Sequence, residues 1–445
     1  MHMCPLEWRY GSSDMRSIFT ISNIVRTYIE VEIALMVGLA RAGMAPAHCI
    51  EALKGCAEDL EPHEIYRLEE VTGHDIASLA YILGERCGEC GRYVHLGATS
   101  YDIVDTSWAI LVGRALELVK SKLSKILKAI SKLAIEHRDT IMVGRTHGQH
   151  ALPITLGFKL ANYVYELSRS YERLCHVGKR VVKSKFSGAV GTMAAWGEKG
   201  FEVEKGASEY LGIEPHTIST QVAPRDGFAE LISVLAILAS QLDRLALEVR
   251  ELSRTEIGEL YEAEERVGSS TMPHKRNPTL SERISGLAKI LRSLVLASLE
   301  NIPLMHERDL TNSSSERILI PHSFLIIDQM LEDTIRLLRV LRIDTGKMKE
   351  NLMLTRGAIM SESIVTRLVE KGLPRHVAHK MLSEIAKNPG NRSLADALIT
   401  NTEISRYLSS EEIEKALDPR NYLGKYRELI DRAIDYMEKV LKECT

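Results

Sequence analysis

From Thr106 to His137, apolar residues recur at Trp108, Leu111, Val112, Leu116, Val119, Leu123, Ile126, Leu127, Ile130 and Leu133, with lysines and glutamates between them. Steps of three and four place these side chains on one face of an α-helix. The same pattern predicts helices over about 156–182, 228–260, 281–299 and 314–341. At 1.5 Å per residue, a 30-residue helix is roughly 45 Å long, too long to fold back into a small globule. These rods are too charged to cross a membrane, so they should bundle side by side. Alternating strand patterns are scarce, and residues 188–196 offer one short extended piece. The expected fold class is therefore all-α, in three helical regions. Residues 1–98 carry shorter helices broken at Gly43, Pro46, Pro62 and Gly73, residues 99–343 carry the long helices, and residues 344–445 carry short helices broken at Pro374, Pro389 and Pro419.

Composition narrows the function classes. The chain has 445 residues, 45% hydrophobic and 26% charged, as a folded soluble protein does. A net charge of -3 gives no reason to expect nucleic acid or an acidic membrane as partner. The first residues lack the apolar core of a signal peptide and no 18-residue uncharged run occurs, so a cytoplasmic location is expected. The seven cysteines, at 4, 49, 56, 87, 90, 175 and 444, do not form a secreted disulfide framework. Cys87 and Cys90 make a lone C-x-x-C near His95 without a second ligand pair at similar spacing, so the thiols read as incidental. A local disulfide is the alternative in a hyperthermophile, toward which the four glutamines lean.

Five segments are too polar for their place in a helical chain. They are Thr72-Gly-His-Asp75, His95-Leu-Gly-Ala-Thr-Ser-Tyr-Asp102, Gly144-Arg-Thr-His-Gly-Gln-His150, residues 268–278 (GSSTMPHKRNP), and the stretch from His306 to Arg317. Each has a bland reading. Asp102, Thr106 and Ser281 are natural helix caps, His150 reads as a solvated loop histidine, and Glu307 and Glu316 read as a surface ion-pair cluster. Taken together, the segments gather His74, His95, His147, Ser269, Lys275 and Asn277. Histidines titrate near neutrality, and lysine and asparagine stabilise a developing oxyanion, so these types point to acid/base chemistry beside an anionic substrate. The histidine spacings match no metal-binding pattern. Residues 268–278 have the makings of a mobile polar lid, with a flexible start at Gly268, a stiff middle at Pro273, and Pro278 before a helix that Thr279 or Ser281 caps. Arg308, Ser313 and Arg317 near a helix start suit a phosphate, and Arg9 with Tyr10 adds a cation and a ring.

GSSTMPHKRNP resembles the signature loop of the fumarase/aspartase superfamily, whose members release fumarate from succinyl-type substrates. The histidine in M-P-H-K-R-N-P, the E-R-D-L-x-x-S-x-x-x-R segment and the Thr-Ser pair of L-G-A-T-S-Y-D are similar to the branch that acts on succinylated purine nucleotides. The resemblance implies β-elimination of fumarate from adenylosuccinate, leaving AMP, and from the succinylated carboxamide ribotide of purine synthesis. It implies that His147 is the general acid on the departing nitrogen and Ser269 the general base at the carbon beside a succinyl carboxylate. Lys275 and Asn277 would stabilise the resulting dianion. His74 would lie near the leaving group, with Asp75 beside it among the substrate contacts. Thr99, Ser100 and Thr146 would meet the succinyl carboxylates, Gln221 would add a contact, and Arg9, Tyr10, Arg283, Arg308, Ser313 and Arg317 would bind nucleotide and phosphate. The resemblance further implies no metal or organic cofactor, and a homotetramer whose long helices form a shared bundle, each active site being built by three subunits. Gly73 departs from the basic residue frequent before the His-Asp pair, and His150 stands where relatives carry proline. Another lyase of the superfamily acting on argininosuccinate, or a catalytically silent structural relative, are the competing readings; the second should lack the acid or the base.

Overall fold

The structure, a computed structural model of the chain, describes residues 4–263, 272, 275–387 and 392–444. The chain is all-α in class, and its five longest helices are Ser100–Glu136, Leu156–Val181, Asp226–Leu252, Thr279–Glu300 and Thr311–Val340. Each coincides with a predicted rod, with corrections at the ends. The first begins six residues early, at Ser100. The third stops at Leu252 rather than near 260, because the chain turns out of the helix at Ser253 and reaches a left-handed Gly258 (φ 61°). The last runs through Pro321 without ending. No described helix is long and apolar enough to cross a membrane.

The strand expectation is overturned. Residues 188–196 form turns, and the extended pairing nearby is a single bridge between Ser184 and Pro215. The sheets described lie elsewhere. Ile141–Thr146 pairs antiparallel with Gln149–Thr155, and Leu260–Glu262 pairs antiparallel with Leu341–Ile343.

Two compact units emerge from the packing. The first takes residues 1–123, 170–242 and 284–333. Within it the helices Ile21–Arg41 and Gly200–Leu211 approach so closely that a Cβ on Gly38 would sit 2.3 Å from the Val203 carbonyl oxygen. Only glycine permits that approach. The second unit takes residues 124–169, 243–283 and 334–445. Its C-terminal helices enclose a core in which Ile364, Leu368, Ala378, Leu398 and Ile404 are fully buried.

The cysteines correct a second expectation. Cys49 and Cys56 lie seven residues apart on the helix His48–Ala57, hence on one face. Cys87 and Cys90 flank the turn that opens the 3₁₀ helix Gly88–Tyr93. The four form two disulfides, Cys49–Cys90 and Cys56–Cys87, with Cα atoms 5.2 and 5.5 Å apart. They are neither incidental thiols nor a bond within the C-x-x-C. Both tie one helix to the segment that leads into residues 95–102. In the chain-entropy view, a crosslink spanning 31 residues stabilises by roughly 3–4 kcal/mol. Replacing both Cys56 and Cys87 by serine should lower the free energy of unfolding by about that amount, read by chemical denaturation; an unchanged midpoint would refute the crosslink.

Candidate active site

In the first unit, the candidate residues collect around the start of the 100–136 helix. The Asp102 carboxylate accepts from the Thr99 amide at 2.7 Å, the reciprocal half of a helix-capping exchange. It also accepts from Lys185 Nζ at 2.6 Å, the Ser187 amide at 2.8 Å and the Gly188 amide at 3.1 Å. Both charged side chains are wholly buried. Burial pulls the Lys185 ammonium below its ordinary pKa, and Asp102 opposes that loss. Thr106 is not a cap: its hydroxyl donates to the Lys185 carbonyl at 3.1 Å and accepts from the Lys185 amide at 2.9 Å.

Asp105, three residues beyond Asp102, accepts from Arg225 Nη2 at 2.5 Å and from the Ala223 amide at 2.7 Å. Arg225 Nη1 reaches both Glu316 oxygens, at 2.9 and 3.1 Å, and Asn312 Nδ2 donates to the same carboxylate at 2.9 Å. Burial works against the Arg225 charge, but Asp105 and Glu316 outweigh it and hold the guanidinium above its ordinary pKa. Glu316 is only 2% exposed, so its reading as part of a surface ion-pair cluster is wrong. Glu307 is exposed.

This buried set supports a group at its edge. The Arg308 guanidinium lies 3.7 Å from the centre of the Tyr101 ring, and Ser313 stands close enough to the Tyr101 hydroxyl to bear on its titration. Arg308 Nη1 donates to Gln221 Oε1 at 3.0 Å, and Gln221 Nε2 donates to the Ala189 carbonyl at 2.9 Å. Two further donors of Arg308, Nε and Nη2, are buried with no acceptor among the described residues. The structure thus joins Gln221, Arg308 and Ser313, and adds Tyr101. Thr99 and Ser100 stand half-buried at the start of the same helix.

A second pairing joins Arg317 to Asp75, Nη2 to Oδ2 at 2.7 Å. Gly73 closes the preceding helix in the left-handed region (φ 69°), which a basic residue would adopt only with strain. His74 caps the next helix, accepting from the Ala77 amide on Nδ1. Arg9 is exposed just after the short helix Pro5–Trp8, its guanidinium 5.7 Å from the Trp8 ring and 5.9 Å from the Tyr10 ring. No side-chain contact from Arg9 or Tyr10 to the other candidates is seen among the described residues.

His95 holds a left-handed backbone (φ 57°), and its Nδ1 lies 2.6 Å from Oε1 of the wholly buried Glu32. Burial depresses the imidazole, yet the Glu32 carboxylate outweighs it and raises the pKa above the ordinary value. Trp196 Nε1 donates to the next carbonyl, Leu96, at 2.9 Å.

In the second unit, the 141–155 hairpin presents His147 at its tip with φ 54°, followed by Gly148 at φ 72°. Thr146 and His147 are exposed there. His150 pairs with Arg145 across the strands, is half-buried, and has Nδ1 buried without a partner, so the solvated-loop reading fails. Burial, then the Arg145 charge, lower its pKa. The helix at Thr279 is not capped by Thr279 or Ser281. Glu262 supplies the cap, accepting from the amides of Leu280 and Ser281, both at 3.0 Å, and from the Ser281 hydroxyl at 2.8 Å. Lys275 is exposed, and Asn277 and Arg283 are half-buried. The Ser269 assignment, with Gly268, Pro273 and His274, lies outside the described residues. His48, Cys49 and Cys90 cluster at ligand distance, but the two sulfurs are bonded to each other.

Asp102, Asp105, Lys185, Arg225 and Glu32 were not picked out as supports from the sequence. Asp102, Asp105 and Glu32 carried one signal, charge at helical positions among apolar neighbours; Lys185 and Arg225 lie outside helices and carried none.

Comparison with known proteins shows the family. The lyase family profile matches residues 9–291, and the profile described as adenylosuccinate lyase C-terminus matches residues 357–433. The chain is 42% identical to adenylosuccinate lyase of Pyrococcus horikoshii over 446 aligned positions, covering 99% of each chain. It is 43% identical to that of Methanothermobacter thermautotrophicus, covering 99% of this chain and all of the relative. Among solved structures, the 3-carboxy-cis,cis-muconate lactonizing enzyme of Pseudomonas putida superposes with a TM-score of 0.90 at 31% identity, covering 98% and 99% of the two chains.

The raised pKa of His95 makes its stabilising pairing with Glu32 pH-dependent. The contribution is fully present below the unfolded value near 6.5 and is lost as pH rises through the folded value. The difference in unfolding free energy between the natural chain and His95→Gln should therefore shrink from about pH 6 toward about pH 9. A difference that is flat or grows with pH contradicts the assignment.

Proposed function

The chain belongs to the adenylosuccinate lyases, and from that premise we propose that it eliminates fumarate from adenylosuccinate to leave AMP, and from the succinylated carboxamide ribotide by the same route. The observation that carries this reading is identity of 42–43% with two archaeal adenylosuccinate lyases over 99% of the chain. The site chemistry supports it. The Arg308 guanidinium lies 3.7 Å from the centre of the Tyr101 ring while two of its buried donors face no acceptor among the described residues, which suits a phosphate oxygen. An argininosuccinate-type substrate has no phosphate to offer there.

In the elimination, Ser269 takes the proton from the carbon beside a succinyl carboxylate, and charge builds on that carboxylate. Lys275 and Asn277 stabilise it. The carbon–nitrogen bond then breaks with His147 protonating the departing nitrogen. Thr99, Ser100 and Thr146 hold the carboxylates. His74 lies near the leaving group and its phosphate, Asp75 and Gln221 add substrate contacts, and Arg9, Tyr10, Arg283, Arg308, Ser313 and Arg317 bind nucleotide and phosphate. The route needs neither a metal nor an organic cofactor.

The proposal extends to assembly. The protein works in the cytoplasm as a homotetramer with three regions, 1–98, 99–343 and 344–445, and each active site draws on three subunits. Ile290, Leu296 and Leu299, exposed on the 279–300 helix, support such a shared bundle.

Purified protein given adenylosuccinate should yield AMP and fumarate, and argininosuccinate should remain intact. Ser269→Ala and His147→Ala should each cut kcat by roughly 10²–10⁴-fold. Fumarate from argininosuccinate, or full activity in both variants, would overturn the reading.

A further inference from the structure

Below the tip of the 141–155 hairpin lies an ion pair that the elimination as written does not use. Arg145 donates to Glu259 through both arms of its fork, Nη2 to Oε1 at 2.7 Å and Nη1 to Oε2 at 3.0 Å. Glu259 is wholly buried and the Arg145 side chain is 13% exposed. Asn351, buried on the helix Thr345–Met353, donates from Nδ2 to Glu259 Oε1 at 2.8 Å and to the Ile257 carbonyl at 2.8 Å. The Glu259 backbone is held as well: its amide donates to the Leu252 carbonyl, and its carbonyl accepts from the Asp344 amide at 3.0 Å.

Arg145 lies on the strand Ile141–Thr146, one residue before its end, and His147 opens the turn that follows. A register irregularity between Val143 and Arg145 interrupts the regular pairing just before Arg145. His147 then sits in a left-handed conformation that a β-turn of non-glycine residues adopts only under constraint. A bidentate pair is the geometry that fixes direction as well as distance. The charge balance reaches the tip too: Arg145 lowers the pKa of its cross-strand neighbour His150, and Glu259 pushes it back.

We propose that Arg145, Glu259 and Asn351 form a positioning unit for His147: the fork anchors the strand that ends at the hairpin tip, and the Glu259 carboxylate offsets the guanidinium charge two residues before the acid. The proposal rests on the assignment of His147 as the general acid. Glu259 is a positioning residue and touches no substrate.

The test is the pH profile of kcat for adenylosuccinate cleavage by the full-length protein. An acid must be protonated to act, so activity falls on the alkaline side of its pKa. Glu259→Gln leaves Arg145 uncompensated and should move that alkaline limb to lower pH, with kcat reduced about 10–100-fold and KM within about 3-fold. Arg145→Gln combined with Glu259→Gln removes both charges and should return the limb to its original position while kcat stays low. If Glu259→Gln does not fold, Arg145→Lys keeps both charges and loses only the fork; it should lower kcat with the limb unmoved. An alkaline limb in Glu259→Gln that superimposes on the natural enzyme's overturns the proposal, as does full kcat in Arg145→Lys. His147→Gln separates the two levels. If it keeps the limb, the acid assignment falls and the proposal with it; if it loses the limb while Glu259→Gln does not shift it, the proposal alone falls.

Discussion

Asp102 and Asp105 stand three residues apart at the start of the 100–136 helix, and each neutralises a cation that burial has cut off from water. Such pairs gain little net free energy over an apolar replacement, because desolvating two ions consumes most of their attraction. Removing one partner is another matter, at roughly 3–5 kcal/mol, since the other charge is left buried and alone. The network therefore acts mainly by forbidding alternatives. Asp102 fixes Thr99 against residues 185–188, and Asp105, through Arg225, draws residues 223–225 to Glu316. Gln221, Ser313 and Arg308 come together because the buried charges beside them admit one arrangement.

Two histidines, His95 and His147, carry backbone angles that side chains other than glycine rarely adopt. Each is held by a buried glutamate close by. For His95 the glutamate, Glu32, binds the ring itself. For His147 the glutamate, Glu259, acts one step removed, through the guanidinium of Arg145. The strain is local and the restraint comes from residues distant in sequence, 63 positions away for Glu32 and His95 and 114 for Arg145 and Glu259.

That distance explains what could be read from the sequence. The long helices were legible because an apolar stripe repeats many times within one element, and only their ends drifted. The third helix was over-extended since Ile257 and Leu260 resume a three-residue apolar step beyond Leu252, across a turn. The hairpin was missed because Gly144 and Pro153 interrupt its alternation and its tip is polar on both faces. The reactive segments were legible as motifs, being short and contiguous. Their supports were not: an aspartate in a helix reads as a solvated face until its partner is known. The disulfides failed for the same reason, since Cys49 and Cys56 meet Cys90 and Cys87 only once two helices have packed.

Partner counting also sorts the arginines, which the sequence left alike. Arg225 has two carboxylates and a carbonyl, and Arg145 has both oxygens of Glu259, so neither can greet an incoming anion without abandoning a buried carboxylate. Arg317 is 56% exposed and shares its charge with Asp75, so it can turn toward a phosphate only by weakening that pair. Arg308 differs from all three. It lies over the Tyr101 ring, one arm is held by the neutral Gln221, and no carboxylate pairs with it among the described residues. A guanidinium held by a ring and an amide binds an anion without losing an ion pair, whereas one held by a carboxylate must exchange one anion for another. On those grounds the phosphate contact proposed for this cluster falls first to Arg308, with Arg317 in a secondary role governed by Asp75.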